Sequence, residues 1–145
     1  MALPNGAGGY QLGDGNLTEI NMSTQTAPTA KTAAATLTAA ELATGIITYT
    51  GAAVALTVPL GADLDAAFTS MKVNSSFDFV IINTGATNAA TVTANTGCTL
   101  VGVAAVNAVT SATWRVRKTD TATYIFYRIA AVSYTHLTLP TKRIV

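Results

Sequence analysis

One stretch of eight residues limits the folds open to this chain more than any other. Ser76–Asn83, SFDFVIIN, is the longest run dense in aromatic and β-branched residues, and a run of this length between turn residues is typical of a strand. Alternate side chains point to opposite faces, and here both faces are mostly apolar, so neither can simply face water. The stretch therefore predicts the central strand of a β-sheet.

The composition points to a protein with an unusually uncharged surface. The chain has 145 residues, enough for one domain, but only 10% are charged, against about 25% in ordinary soluble domains. Such a surface must consist of hydroxyls, amides and backbone, or else be buried against other subunits. A formal charge of +1 without a basic stripe excludes a typical nucleic-acid binder.

The residue types needed for chemistry are sparse. Cys98 is the single cysteine, so there is neither a disulfide framework nor a cysteine metal site, and we expect it to be a small buried hydrophobe. Without a second histidine or a cluster of ligands, we predict no catalytic, cofactor-binding or metal-binding residues, and no enzyme. The first residues lack a signal-peptide pattern, and no apolar run is long enough for a membrane span.

The C-terminal segment differs in origin from the rest. Val132–Thr141, VSYTHLTLPT, resembles the in-frame translation of a transposon-end sequencing adapter, an artefact found at the ends of reading frames from metagenome assemblies. On that interpretation residues 132–145 were never selected to fold, and His136 carries no function. The alternative is a genuine C-terminal strand.

The remaining chain divides into an arm and a domain. Residues 1–35 are rich in Gly, Asn, Ser, Thr and Ala and predict an extended, low-complexity arm, with one short strand over 17–22. From residue 36 to 131 we predict one β domain. Thr38 and Glu41 have the spacing of a capping box, which predicts a short helix ended by Gly45, and Asp63 is a candidate cap for a second.

Strands follow one another closely after the central strand. Ala90–Ala94 and Cys98–Val101 are each preceded by turn residues, which predicts two successive hairpins in a meander. Gly102–Val109 is predicted to be a loop. The fold class expected is therefore mainly β: a small antiparallel sandwich or partly open barrel, with one or two short helices and the extended N-terminal arm.

The clearest hairpin is predicted from Ala112–Lys118 and Thr123–Ala130. A turn centred between residues 120 and 121 gives an inward face that contains the only tryptophan. The inward residues are Ala112, Trp114, Val116, Ile125, Tyr127 and Ile129. The outward face then pairs guanidinium groups with aromatic rings. This outward contact strip comprises Arg115, Arg117, Tyr124 and Phe126.

Several short motifs spread over residues 10–130 together resemble small virion structural proteins of tailed phages, of the marine metagenome type. They are the segments 13–16 (GDGN), 37–42 (LTAAEL), 56–59 (LTVP), 79–85 (FVIINTG) and 114–118 (WRVRK), with Tyr124 and 127–129 (YRI). The resemblance implies a capsid decoration or head-surface protein that acts by self-association and lattice contacts, assembled in the host cytoplasm and located in the virion.

The same resemblance leaves a second function open, a glycan-binding or receptor-binding module of a tail fibre. The Ala/Thr-rich composition with little charge predicts a homo-oligomer, because such a chain would not easily keep a large apolar surface soluble alone. In both cases the resemblance implies that the oligomer is a trimer, whose other partners are the major capsid protein or tail-fibre components. A glycan site would need exposed aromatic rings gathered in one place, and Trp114 is predicted to point inward. Neither function involves nucleic acid or a membrane.

Overall fold

The computed structural model describes residues 22–131, and this part of the chain is a mainly β structure of two sheets and two short helices. The strands are β1 (Thr29–Lys31), β2 (Ala35–Thr36), β3 (Ile46–Tyr49), β4 (Val54–Thr57), β5 (Ser76–Asn83), β6 (Ala90–Thr93), β7 (Cys98–Val101), β8 (Ala105–Val106), β9 (Thr110–Asp120) and β10 (Thr123–Ala131). The helices are α1 (Ala39–Ala43) and α2 (Gly61–Ala67).

The two sheets face one another as an open sandwich. One sheet has six strands in the order β1-β3-β5-β9-β10-β7, and the other has four in the order β2-β4-β6-β8. Neither sheet closes into a barrel. The mainly β class, the sandwich and the two short helices predicted from the sequence are therefore confirmed.

Strand direction differs from the prediction of an antiparallel sandwich. From β1 to β8 each strand lies in the opposite sheet to the one before it, and most of the neighbours within a sheet run parallel. Five pairs are parallel: β1 with β3, β3 with β5, β7 with β10, β2 with β4, and β4 with β6. The predicted meander was wrong, because β5, β6 and β7 are joined by arches between sheets and not by hairpins.

Two asparagines organise these arches. Asn83, buried at the end of β5, donates from Nδ2 to the carbonyls of Asn88 and Val106 at 2.7 and 2.9 Å, and its Oδ1 accepts from Gly85 N. Asn95, after β6, donates to Val58 O at 3.1 Å in the neighbouring chain segment. Each amide satisfies backbone groups that a hairpin would have paired, which allows the chain to cross between sheets.

The central position of β5 is confirmed, with the predicted bounds. It lies between β3 and β9, and its inner face contributes Phe79 and Ile81 to the core while Phe77 packs at the margin. Phe79 meets Phe126 of β10 edge to face, with ring centroids 6.1 Å apart. Trp114, on β9, is fully buried beside them, as the sequence predicted.

The first helix begins where its capping signal places it. Thr38 Oγ1 accepts from Glu41 N, and the Glu41 carboxylate accepts from Thr38 N at 3.0 Å, so the capping box is confirmed. Gly45 follows the helix with φ of +84°, a conformation that ends a helix without steric cost for glycine. The predicted cap of the second helix was wrong: the helix begins after Leu60, and Asp63 lies in its first turn.

The β domain begins earlier in the chain than the predicted residue 36. Thr29–Lys31 pairs with β3 and Ala35–Thr36 pairs with β4, so residues 29–35 belong to the sandwich and not to the predicted arm. Their apolar content is low, and it is backbone pairing that places them in the sheets. The strand predicted over 17–22, the rest of the arm to residue 21 and the segment 132–145 lie outside the described residues.

Candidate interaction surface

The β9–β10 hairpin forms as predicted but in a different register. Its two-residue loop is Thr121–Ala122, with Ala122 at φ of +52°, and Asp120 pairs with Thr123. A bulge then shifts the ladder, so that Val116 opposes Phe126. A shift of one residue turns every side chain of a strand to the other face.

The contact strip is therefore only half correct. Arg115 and Arg117 point outward, but Tyr124 and Phe126 are fully buried. Their places on the outer face are taken by three side chains that we had predicted to point inward. These are Ile125, Tyr127 and Ile129. Strand β10 has apolar residues at both sets of alternating positions, so its sequence did not indicate which set faces the core.

The two arginines are held by neighbours on the same outer face. Arg117 donates from Nε and Nη2 to the Tyr127 hydroxyl at 2.9 and 2.8 Å and lies over the Tyr127 ring. Arg115 forms a two-bonded ion pair with Asp78 at 2.8 and 3.0 Å, and these bonds lower the pKa of the Asp78 carboxyl. The pair is exposed to solvent, so it orients the side chains more than it stabilises the fold.

A polar junction fixes α2 to the hairpin loop. The Asp65 carboxylate accepts from the Tyr124 hydroxyl at 2.6 Å, from Lys118 Nζ at 2.9 Å and from Ala122 N at 2.7 Å. These hydrogen bonds lower the pKa of Asp65 to about 2. Burial, together with the Asp65 charge, raises the pKa of Tyr124, so the phenol stays protonated as the donor. We call this contact of Asp65 with the hairpin, and the glycines beside it, the loop junction.

Two glycines allow this close approach. Gly61 begins α2 and Gly97 precedes β7, and a Cβ on either would overlap the Ala122 carbonyl oxygen. Gly97 also has φ of +84°, whereas Gly61 needs only the space. The loop junction is thus built from backbone contact as well as charge, which explains how a helix of seven residues holds its place.

Among the described residues the structure shows little that could carry catalysis. No group of three or more His, Cys, Asp or Glu is placed to hold a metal ion there. Cys98 is buried, with its thiol donating to Pro59 O, and burial raises its pKa to about 11. This agrees with the prediction of a small buried hydrophobe. No helix in residues 22–131 is long and apolar enough to cross a membrane.

No family model, curated protein or solved structure matches this chain. The surface must therefore be interpreted from its own geometry. Its main feature is the absence of charge: between Asp78 and Arg115 the sequence contains no acidic, basic or histidine residue. This uncharged stretch forms most of β5 together with β6, β7, β8 and the start of β9.

The outer face of the six-stranded sheet shows what the uncharged stretch presents to solvent. Val80 lies between Ile46 and Thr113 in neighbouring strands, and Ile82 lies next to it along β5. All four are half-buried. Aliphatic side chains and hydroxyls thus form a band across the sheet centre, and Arg115 with Asp78 borders it on one side.

The open edge at β7 is a second apolar part of the surface. β7 pairs with β10 on one side and has no strand on the other among those described. Beside it, Val101 and Val103 are 47% and 68% exposed, and Ile129 is 46% exposed across the ladder. A cleft of about 460 Å³ adjoins the same edge, and Val103, Ile129 and Ala131 line it together with Arg128 and Asn107. We call β7 with these exposed aliphatics the β7 edge.

Proposed function

We propose that this protein is a virion structural protein, a capsid decoration or head-surface protein that acts by self-association and lattice contacts without catalysis. The observation that carries the proposal is the apolar outer surface of the six-stranded sheet, which comprises the uncharged band across the sheet centre and the exposed aliphatics of the β7 edge. Aliphatic surface with few charged residues is typical of surfaces buried in assemblies. The sequence motifs that resemble those of phage virion proteins support the proposed location in the virion.

The positions of the aromatic residues favour this proposal over a glycan-binding tail-fibre module. Sugar binding uses exposed rings gathered in one place, but most rings of the described residues are fully buried. The buried rings are those of Tyr49, Phe79, Trp114, Tyr124 and Phe126. Tyr127 is the one ring on the outer sheet face, and Arg117 already lies over it.

Sedimentation velocity of the full chain over a range of concentrations tests the assembly part of the proposal. We expect a species larger than the 14.8 kDa monomer that grows with concentration. A monomer at every concentration would contradict it.

Location in the virion is tested by the gene neighbourhood and by glycan binding. A gene beside a major capsid gene would support decoration. A gene beside long fibre genes, together with glycan-array binding that Tyr127→Ala abolishes, would favour adhesion instead. Tyr127 lies opposite Val101 in the β7–β10 ladder, so sedimentation of Tyr127→Ala is measured alongside, to separate a loss of glycan binding from a loss of assembly.

A further inference from the structure

We infer that the β7 edge pairs with the β7 edge of a second copy across a two-fold axis, so that two six-stranded sheets join into one continuous sheet. The inference rests on the proposed function and names the surface through which self-association occurs. It commits the chain to pairwise contact, and so departs from the trimer that the family resemblance implies.

The backbone of β7 requires an extended strand as the occupant of its free side. Tyr124 N donates to Gly97 O at 2.8 Å, and Tyr124 lies opposite Cys98 in a parallel ladder. Backbone groups alternate in direction along a strand, so those of Thr99 and Val101 point to β10 and those of Leu100 point to the open side. An added strand would satisfy the Leu100 N–H and C=O.

The other sheet edges are protected in ways that β7 is not. β1, β2 and β8 have only three, two and two residues. β1 also ends at Lys31, which forms an ion pair with Glu41 at 2.7 Å. Short strands and charged residues are common devices against edge pairing. β7 is the longest of the four edge strands, and it lies in the uncharged stretch.

The charge pattern selects a second copy over an unlike partner. The charged group beside Val103 is Arg128, whose Nη1 already donates to the Val103 and Ala105 carbonyl oxygens, and β7 itself has no charged residue. A charged strand docked here would therefore bury its charges against Val101 and Val103 without a free counter-ion on β7, which is costly. An identical β7 brings no charge to the contact. It also brings the same exposed valines, so each copy covers the other's apolar surface.

Symmetry and side-chain direction then fix the register. Opposed residues in an antiparallel pair must share a face. Cys98 and Leu100 both direct their backbone groups away from β10, but Cys98 N already donates to Asn95 O, so Leu100 is the β7 residue that offers both groups to a partner. The axis therefore passes beside Leu100, which exchanges two N–H···O bonds with Leu100 of the second copy. Thr99 of each copy opposes Val101 of the other on the outer face. Leu100, only partly buried against its own core, gains cover from its counterpart.

The Thr99–Val101 opposition gives a charge test of this register. In Thr99→Lys/Val101→Lys, lysines would oppose one another twice across the axis, and we expect the dimer Kd to rise about tenfold or more. In Thr99→Glu/Val101→Lys the same positions become two opposite-charge pairs, and the dimer Kd should return to near the wild-type value. Sedimentation equilibrium measures each Kd, and circular dichroism checks the fold.

A matched control comes from β6, an internal strand of the four-stranded sheet. Thr91→Lys/Thr93→Lys adds the same charge at the same spacing to exposed positions, and we expect the dimer Kd to stay unchanged. If the first variant loses its fold, Val101→Lys alone, at an exposed position, should still raise the Kd. An equal effect of the β6 control would overturn the proposed edge contact.

Three further results would overturn the inference. Association of Thr99→Lys/Val101→Lys with the wild-type Kd would remove β7 from the contact and leave self-association standing. A wild-type trimer would also exclude a two-fold edge contact without touching the proposed function. A wild-type monomer at all concentrations, including one whose β7 edge is covered by residues 132–145 of the same chain, would overturn both proposals.

Discussion

The loop junction and the β7 edge are neighbours in the fold and opposite in construction. At the loop junction, helix α2, the hairpin loop and Gly97 meet through three hydrogen bonds to one carboxylate and through backbone contact without room for a methyl group. At the β7 edge, which begins one residue after Gly97, the strand itself has no charged residue, and aliphatic side chains are exposed. The polar groups of the loop junction find their partners within the chain. The outward backbone groups of Leu100 at the β7 edge have no partner strand among the described residues.

This difference separates stability from assembly. Substitutions at the loop junction should change the free energy of unfolding and leave association unaffected. Substitutions at the β7 edge should do the reverse. Two of the few charged residues, Asp65 and Lys118, lie at the loop junction and fix the position of the hairpin. Strand β10 of this hairpin pairs in turn with β7.

The largest expected effect comes from filling the space at the loop junction. Gly61→Ala would drive a Cβ into the Ala122 carbonyl, and we expect a loss of about 3 kcal/mol in the free energy of unfolding, measured by urea denaturation. Gly45→Ala is the matched control. It has the cost of a positive φ, about 1 kcal/mol, but its Cβ would make only an ordinary van der Waals contact, 3.9 Å from Gln25 Oε1. Equal losses in the two variants would show that the loop junction is not tightly packed.

The pH dependence of stability should identify the carboxylate at the loop junction. The pKa of Asp65 falls from its ordinary 3.8 to about 2 in the folded state, so its contribution is complete above the unfolded value. It is lost as the pH falls through about 2. The Tm difference between wild type and Asp65→Asn should therefore be constant near neutral pH and shrink in acid. A difference that is independent of pH down to 2 would contradict this assignment.

A smaller effect is expected on the outer face. Tyr127→Phe removes the hydroxyl that accepts two bonds from Arg117 but keeps the ring beneath the guanidinium, so we expect a loss of about 0.5–1 kcal/mol or less. Tyr124→Phe, which removes the hydroxyl bound to Asp65, should lower the Tm further. The reverse order would mean that the outer face, and not the loop junction, holds the hairpin.

The smallest effect is expected from shortening the chain. Deleting Val132–Val145 should leave both the Tm and the sedimentation of the protein unchanged, because the predicted adapter origin implies that these residues were not selected to pack on this domain. A loss of several kcal/mol on deletion would mean that these residues belong to the core. New association on deletion would mean that they, and not a second copy, cover the β7 edge.

Local signals in the sequence were sufficient for several elements. Ser76–Asn83 and the Thr38 capping box were predicted with correct bounds, because each depends on neighbours within a few residues. The outward direction of Arg115 and Arg117 and the burial of Trp114 also follow from alternation along β9, which has one clearly apolar face.

Sheet membership and the face of β10 could not be predicted in this way. A hairpin and an arch between sheets begin with the same Asn, Thr and Gly residues, and only Asn83 binding Val106 O, far along the chain, distinguishes them. The face of β10 depends on a bulge and on Ala122 adopting a positive φ, which is unusual for alanine. Apolar residues on both faces of that strand concealed the shift.

Amide hydrogen exchange at Leu100, followed as a function of protein concentration, tests the central claim most directly. The Leu100 N–H points away from β10, so its exchange should slow as copies associate. The Ala30 N–H, by the same alternation, points to the open side of β1 and should exchange at one rate throughout. Protection of Leu100 that rises with concentration while Ala30 stays constant is the predicted result. Association without any slowing at Leu100 would contradict the β7 edge as the site of self-association.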